Sequence, residues 1–145
     1  MATDLRTRFE RIPLEILNQG KIQLIDELFT PEYVDRTPQP GVAPTREGFK
    51  QWVTALRMAF PDIHYTVEDT INGGDKWVGR LSVSGTMIGD FAGMPATGKR
   101  ATWNEIHILH VVNERVTEHW GLVQELGMMV QLGVIAAPGR TPVAV

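Results

Sequence analysis

A chain of 145 residues with 43% hydrophobic and 21% charged side chains has the length and composition of one globular domain. Its net charge is −3 and its 14 basic residues are scattered, which excludes the basic stripe of a nucleic-acid binder and a polybasic membrane anchor. No apolar run approaches the ~20 residues of a membrane span, the charged N-terminus lacks the apolar core of a secretory signal, and the absence of cysteine excludes disulfides, thiolate catalysis and cysteine-ligated metals; a cytoplasmic protein is expected.

Residues 4–18 place Leu5, Phe9, Ile12 and Ile16 at spacings of three and four, which predicts a helix capped by Asp4 or Thr3 and stopped by Asn18-Gln19-Gly20. Pro13 falls inside that pattern and predicts a kink or local break. A second short helix is expected over about residues 21–29, with Leu24, Ile25, Leu28 and Phe29 on one side and Thr30-Pro31 ending it. The proline-rich stretch 36–44 reads as a loop. Thr45 then caps a third helix whose inward stripe is Phe49, Trp52, Val53, Leu56 and Ala59, closed by Phe60-Pro61-Asp62.

The second half changes period. Residues 63–71 alternate as a strand, Asn72-Gly73-Gly74-Asp75 forms a turn, and a further strand runs from Trp77 to Gly85, with 87–91 extending it. After a turn-rich connection at 93–98, residues 100–112 and 115–124 form a long hairpin; 125–132 make a closing helical turn and 137–145 a loosely ordered tail. Helices followed by strands define an α+β protein. The expected architecture is one domain over 1–145, with a core at about 5–135. A strongly curved antiparallel sheet wraps the N-terminal helices into a cone, and a pocket lies on its concave face.

The hairpin concentrates the chemistry. It carries His107, His110 and His119, three of the chain's four histidines, together with Glu105, Glu118 and Trp120. Histidine titrates near working pH and suits proton transfer in both directions. Side-chain facing depends on register. A two-residue turn at Asn113-Glu114 sets His107 against Trp120 and sends His119 outward; a three-residue closure at 112–114 sets His107 against His119 and Glu105 against Gly121. A metal on His107, His119 and Glu105 has no support in any standard zinc spacing, and neither glycine-rich stretch matches a phosphate loop.

Six short motifs carry a family resemblance: Asn18-Gln19-Gly20, Phe29-Thr30-Pro31-Glu32-Tyr33, Ala59-Phe60-Pro61-Asp62, Gly93-Met94-Pro95-Ala96-Thr97-Gly98, Glu118-His119-Trp120 and Gln131-Leu132-Gly133. In this order they resemble the SnoaL-like polyketide cyclases of the nuclear transport factor 2-like superfamily, also called cystatin-like. The resemblance implies an α+β cone and acid–base chemistry without metal or cofactor. It also implies a catalytic aspartate directly after Glu118-His119-Trp120, where this chain has Gly121. Many relatives hold another aspartate at the position of Gln124. The family histidine is kept as His107, a family glutamine is Glu105, and a family asparagine is Asp35. Because the family cavity contains positions 107 and 121, the three-residue closure is favoured. Trp103, Glu105, His107, Leu109, His119 and Gly121 then face inward, and Glu118 and Trp120 outward.

Two readings follow from the resemblance. In the first, His107 is the general base or acid, with Glu105, Asp35 or His119 as partner, in aldol cyclisation or a related isomerisation or hydrolysis of a hydrophobic carbonyl compound. Trp103, Gly121, Gln124, Met87, Phe91 and Met94 border that ligand. In the second, the chain is a noncatalytic binder or accessory protein, silent because Gly121 replaces the carboxylate and enlarges the cavity; an aspartate restored at 121 is then expected to return cyclase activity. Ile106, Ile108, His110 and Trp120 leave an apolar outer face, from which a homodimer is expected.

Overall fold

The computed structural model describes residues 4–139; Thr3 as an alternative cap and the tail beyond Gly139 lie outside the described residues. Helix α1 (Leu5–Arg11) begins at Asp4, which accepts from the Arg6 N–H at 3.0 Å and the Thr7 hydroxyl at 2.9 Å. At Pro13 the helix widens into a π-turn, Ile12–Leu17, rather than breaking. Proline gives no N–H to the ladder and its ring crowds the carbonyl four residues back, so the hydrogen bonds rearrange there. Ile12, Pro13, Ile16 and Leu17 are all buried in consequence.

Helix α2 (Leu24–Leu28) passes directly into strand β1 (Phe29–Asp35). The sequence predicts helix to about residue 29 and an end at Thr30-Pro31, whereas the chain forms a strand there. Pro31 disguises it: proline has no ladder donor and is tolerated in strands chiefly at sheet edges, and β1 is an edge. Helix α3 (Arg46–Ala59) is capped by Thr45, whose hydroxyl accepts from the Gly48 N–H at 3.1 Å, and buries Val53, Leu56 and Ala59.

Four antiparallel strands follow: β2 (His64–Gly73), β3 (Lys76–Thr86), β4 (Arg100–Val112) and β5 (Arg115–Val123). The sheet order is β1-β5-β4-β3-β2, and β1 joins β5 in parallel, pairing Val34 with Glu118 and Asp35 with His119. The expected antiparallel sheet is thus completed by one parallel edge strand. Residues 87–99 leave the sheet as a loop. It is held by Met87 N–H to Lys99 O (2.9 Å) and by the Ile88 and Gly89 N–H groups, which donate to Ala59 O at the end of α3. Helix α4 (Glu125–Gln131) is the last helix among the described residues. Asn18 clamps the π-turn to β2 as a neighbouring strand would: its Oδ1 accepts from Tyr65 N–H at 2.7 Å and its Nδ2 donates to Tyr65 O at 2.9 Å.

The β4–β5 turn combines the two registers considered above. Asn113 and Glu114 both have positive φ (50° and 65°) and form a two-residue turn that pairs Val112 with Arg115. A bulge then intervenes: Val111 pairs with Val116, but His110 pairs with Glu118, which leaves Thr117 as the extra residue. That one residue reverses the facing of everything beyond it. His107 therefore lies opposite Gly121 and Leu109 opposite His119. The inward set is the one expected from a three-residue closure, while the pairing partners are each displaced. Among the described residues no helix is long and apolar enough to cross a membrane.

Candidate active site

The concave face of the sheet, the π-turn, α3 and the flanking loops enclose a cavity of about 150 Å³. Its walls are mainly apolar, with Phe29, Phe49, Trp52, Phe60 and Phe91 among them, and Phe91 packs against both Trp52 and Phe60. The polar groups gather on the wall built by β1, β5 and β4 and at the mouth. Among the described residues no lysine or arginine lines the cavity.

On that wall four ionisable side chains form one continuous hydrogen-bonded chain. Asp35 Oδ1 meets His119 Nδ1 at 2.9 Å, His119 Nε2 meets His107 Nδ1 at 2.7 Å, and His107 Nε2 meets Glu105 Oε1 at 2.8 Å. The two imidazoles lie nearly in one plane (21°) with ring centres 5.0 Å apart, so their nitrogens meet edge to edge and the rings do not stack face to face. The buried Glu105 end is anchored by Trp103, whose Nε1–H donates to Oε2 at 2.8 Å, and by the Tyr65 hydroxyl. Burial first, and then the charge and hydrogen bond of Glu105, push the Tyr65 phenol well above its ordinary value, so it remains a donor.

The other end opens to the mouth. Burial pushes the Asp35 carboxyl up, but the hydrogen bond and charge of His119 and the bonds from Thr37 outweigh it, and Asp35 sits below the ordinary carboxylate value. Its Oδ1 takes His119, the Thr37 N–H (2.9 Å) and the Thr37 hydroxyl (3.4 Å); no hydrogen bond reaches its Oδ2 among the described residues. Thr37 also accepts from the Gly121 N–H at 2.8 Å, and Gln39 Nε2 donates to Glu125 Oε1 at 3.3 Å across the mouth.

Counting protons defines what this chain can do. Each of the three contacts needs one proton between two acceptor atoms. With both carboxylates ionised, three protons on four imidazole nitrogens leave one imidazolium and a net charge of −1. Two further arrangements have the same charge with both imidazoles neutral: Glu105 protonated and Asp35 ionised, or the reverse. Moving each bridging proton by one place interconverts them, so the four groups form a relay between a deep carboxylate and one at the mouth.

Of the residues singled out from sequence, Asp35, Phe91, Trp103, Glu105, His107, His119 and Gly121 line the cavity. Three do not. Gln124 follows Val123, an inward residue, so alternation turns it out, and it accepts from the Asn104 backbone and side chain at 3.3 Å each. Met87 leaves strand alternation where the 87–99 loop begins and is fully buried in the core. Met94 sits in a tight turn bridged to Phe91 and packs on the core from outside the cavity. Tyr65, Thr37 and Trp77 also line the cavity and are not among the residues singled out from sequence. Trp77 lines the cavity and carries the one buried side-chain polar atom, Nε1, without a partner among the described residues. The alternation of β2 and β3 could have placed Tyr65 and Trp77 inward; nothing in the loop sequence marks Thr37. His110 points outward, tied to Asp75 (2.8 Å) and Glu118 (3.0 Å), and Glu118 also holds Arg36 at 2.9 Å.

Gly121 corrects a second expectation. A Cβ placed there would lie 2.5 Å from His107 Nδ1 and 2.8 Å from His119 Nε2. The space vacated by the expected aspartate is not cavity; the joined imidazole nitrogens occupy it.

The curved sheet and its helices thus form an α+β cone that encloses an apolar cavity with one titratable wall. The family model for SnoaL-like polyketide cyclases matches residues 7–132, and the chain belongs to that family. It is 31% identical over 134 residues to aklanonic acid methyl ester cyclase DnrD of Streptomyces peucetius, covering 92% of this chain and 80% of that protein. It is 27% identical to nogalonic acid methyl ester cyclase of Streptomyces nogalater, covering 80% and 88%. Among solved structures, TsrD from Streptomyces laurentii matches with a TM-score of 0.83 and 28% identity over 92% of this chain and all of that one. IdmH from Streptomyces antibioticus matches with a TM-score of 0.78 and 27% identity over 91% and 100%.

Proposed function

We propose that the protein is a cofactor-independent cyclase that closes a ring by intramolecular aldol addition in an uncharged polyketide ester. The observation that carries this reading is the relay ending at the mouth in Asp35, which is ionised and whose Oδ2 no hydrogen bond reaches among the described residues. Both nitrogens of both imidazoles are engaged within the relay, so His107 and His119 conduct the proton and Asp35 is the base that meets the substrate. Asp35 removes the acidic proton between two carbonyl groups. The resulting enolate carbon attacks an internal ketone, one C–C bond forms, the carbonyl π pair moves onto oxygen, and that alkoxide takes a proton from the relay. No atom is lost and nothing is oxidised.

Two features support an esterified substrate. Asp35 and Glu125 stand at the mouth, and among the described residues no lysine or arginine lines the cavity to receive a free carboxylate. The named relatives are cyclases of methyl esters. The apolar walls fold the chain of carbonyls into a reactive conformer, a contribution of up to roughly 7–11 kcal/mol when orientation is ideal. The binder reading rested on the missing carboxylate at 121, and the relay supplies a carboxylate from β1 instead. We also infer self-association through the outer face of β4 and β5.

The test is turnover of aklanonic acid methyl ester and nogalonic acid methyl ester by the wild type and by Asp35→Asn. The amide oxygen keeps an acceptor for His119 Nδ1–H, so the fold is expected to survive while kcat falls by about 10²- to 10⁴-fold, the usual worth of a general base. Wild-type turnover in the variant would rule out Asp35 as the base.

A further inference from the structure

We propose that Gly121 is a positioning residue of the reaction, because only a residue without a Cβ lets His107 and His119 join and so connects Asp35 to Glu105. This inference rests on the acid–base reading above. Gly121 lies directly opposite His107 in the β4–β5 ladder, and His119 precedes it by two on the same face. The His107 Nδ1 to His119 Nε2 contact therefore passes immediately over the Gly121 Cα, within 2.5 and 2.8 Å of where a side chain would begin. Both distances are far below ordinary carbon–nitrogen packing, and the atoms in the way are ring nitrogens fixed at both ends.

Neither ring has freedom to retreat. His107 is held at Nε2 by Glu105, itself fixed by Trp103, and His119 is held at Nδ1 by Asp35, itself fixed by Thr37. Thr37 also binds the Gly121 N–H, so the backbone at 121 cannot withdraw without loosening the Asp35 loop. A methyl group at 121 must therefore separate the imidazoles, the one place where the relay can be cut without removing an ionisable group. Gly121 does not touch substrate in this account; it acts through the two histidines. Where the family resemblance implies one carboxylate at this position, the present chain carries a wire across the gap.

The experiment compares wild type, Gly121→Ala and His119→Gln. Imidazole protons and nitrogens are observed by ¹H–¹⁵N NMR, and kcat and KM are measured against pH with aklanonic acid methyl ester. The wild type is expected to show a strongly downfield proton shared by the two imidazoles. Gly121→Ala should lose that signal and about 10²-fold or more in kcat, with KM within a few-fold and an altered pH–rate profile. His119→Gln leaves Gly121 in place and gives His107 an amide acceptor that cannot relay a proton; it should lose kcat similarly, and it stands in if the alanine variant fails to fold. A Gly121→Ala enzyme with the shared proton, rate and pH profile of the wild type overturns the proposal, as does a His119→Gln enzyme with wild-type kcat. A wild type that shows the shared proton yet leaves the ester unchanged sinks the functional reading and with it the catalytic role, while the spectra still decide whether Gly121 permits the imidazole pair.

Discussion

Asp35 illustrates how opposing influences on one carboxyl are resolved by its neighbours. Burial raises it, and His119 and Thr37 together bring it below the ordinary value of 3.8. A group with a depressed folded-state pKa binds protons better in the unfolded chain, so acid favours unfolding. Its stabilisation is complete above the ordinary value and is lost as pH falls through the lowered one. The difference in Tm between wild type and Asp35→Asn is therefore expected to be widest near neutrality and to close below about pH 4; a constant difference would show that the ionised form is not what stabilises. Strand alternation was enough to put Glu105 and His107 on one face; the family resemblance, by favouring the closure at 112–114, added His119 and brought Asp35 to the same cavity. What stayed hidden was the use of all four imidazole nitrogens within the relay. Hydrogen-bond partners depend on ring rotation and on the gap over Gly121, neither of which has a signature in residue spacing.

At the scale of elements, the helices and the four long strands were legible because their apolar periods run long enough to outweigh local exceptions. The misses occur where one residue changes the geometry. Pro31 concealed β1, and Thr117 supplied a bulge that no hydrophobic pattern announces. The turn is the two residues Asn113-Glu114 rather than the favoured closure at 112–114, and its conformation is costly for glutamate, since both residues adopt positive φ. Glu114→Gly creates Asn-Gly, the preferred pair for this turn. The Arg8 Nε–H bond to Glu114 O at 2.6 Å uses only backbone and survives the change. An increase of about 0.5–1 kcal/mol in stability, seen as a Tm higher by roughly 2–4 °C, is expected with turnover unaltered. A lower Tm would mean that the glutamate side chain, rather than the backbone, matters at this turn.

At the scale of the whole molecule, the sheet that lines the cavity also presents an apolar outer surface. Ile106 pairs with Leu122 and Ile108 with Trp120 across β4 and β5, and Leu122 is 77% and Ile106 50% exposed. Alternation makes this unavoidable: the residues between Glu105, His107 and His119 must face the other way. Isolated exposed leucines need no explanation, but four large apolar side chains side by side on a sheet form the kind of patch that marks an interface. Self-association there would stiffen the strands that hold the relay in register without placing anything from a second copy in the cavity. The wild type is expected to run as a dimer by light scattering at micromolar concentration. Leu122→Arg introduces a charge that a second copy's apolar patch cannot accommodate, so it should be monomeric, with a lower Tm and with kcat kept within a few-fold because residue 122 points away from the cavity. A monomeric wild type would remove the interface, and a monomeric variant without turnover would show that the outer face governs the register of the inner one.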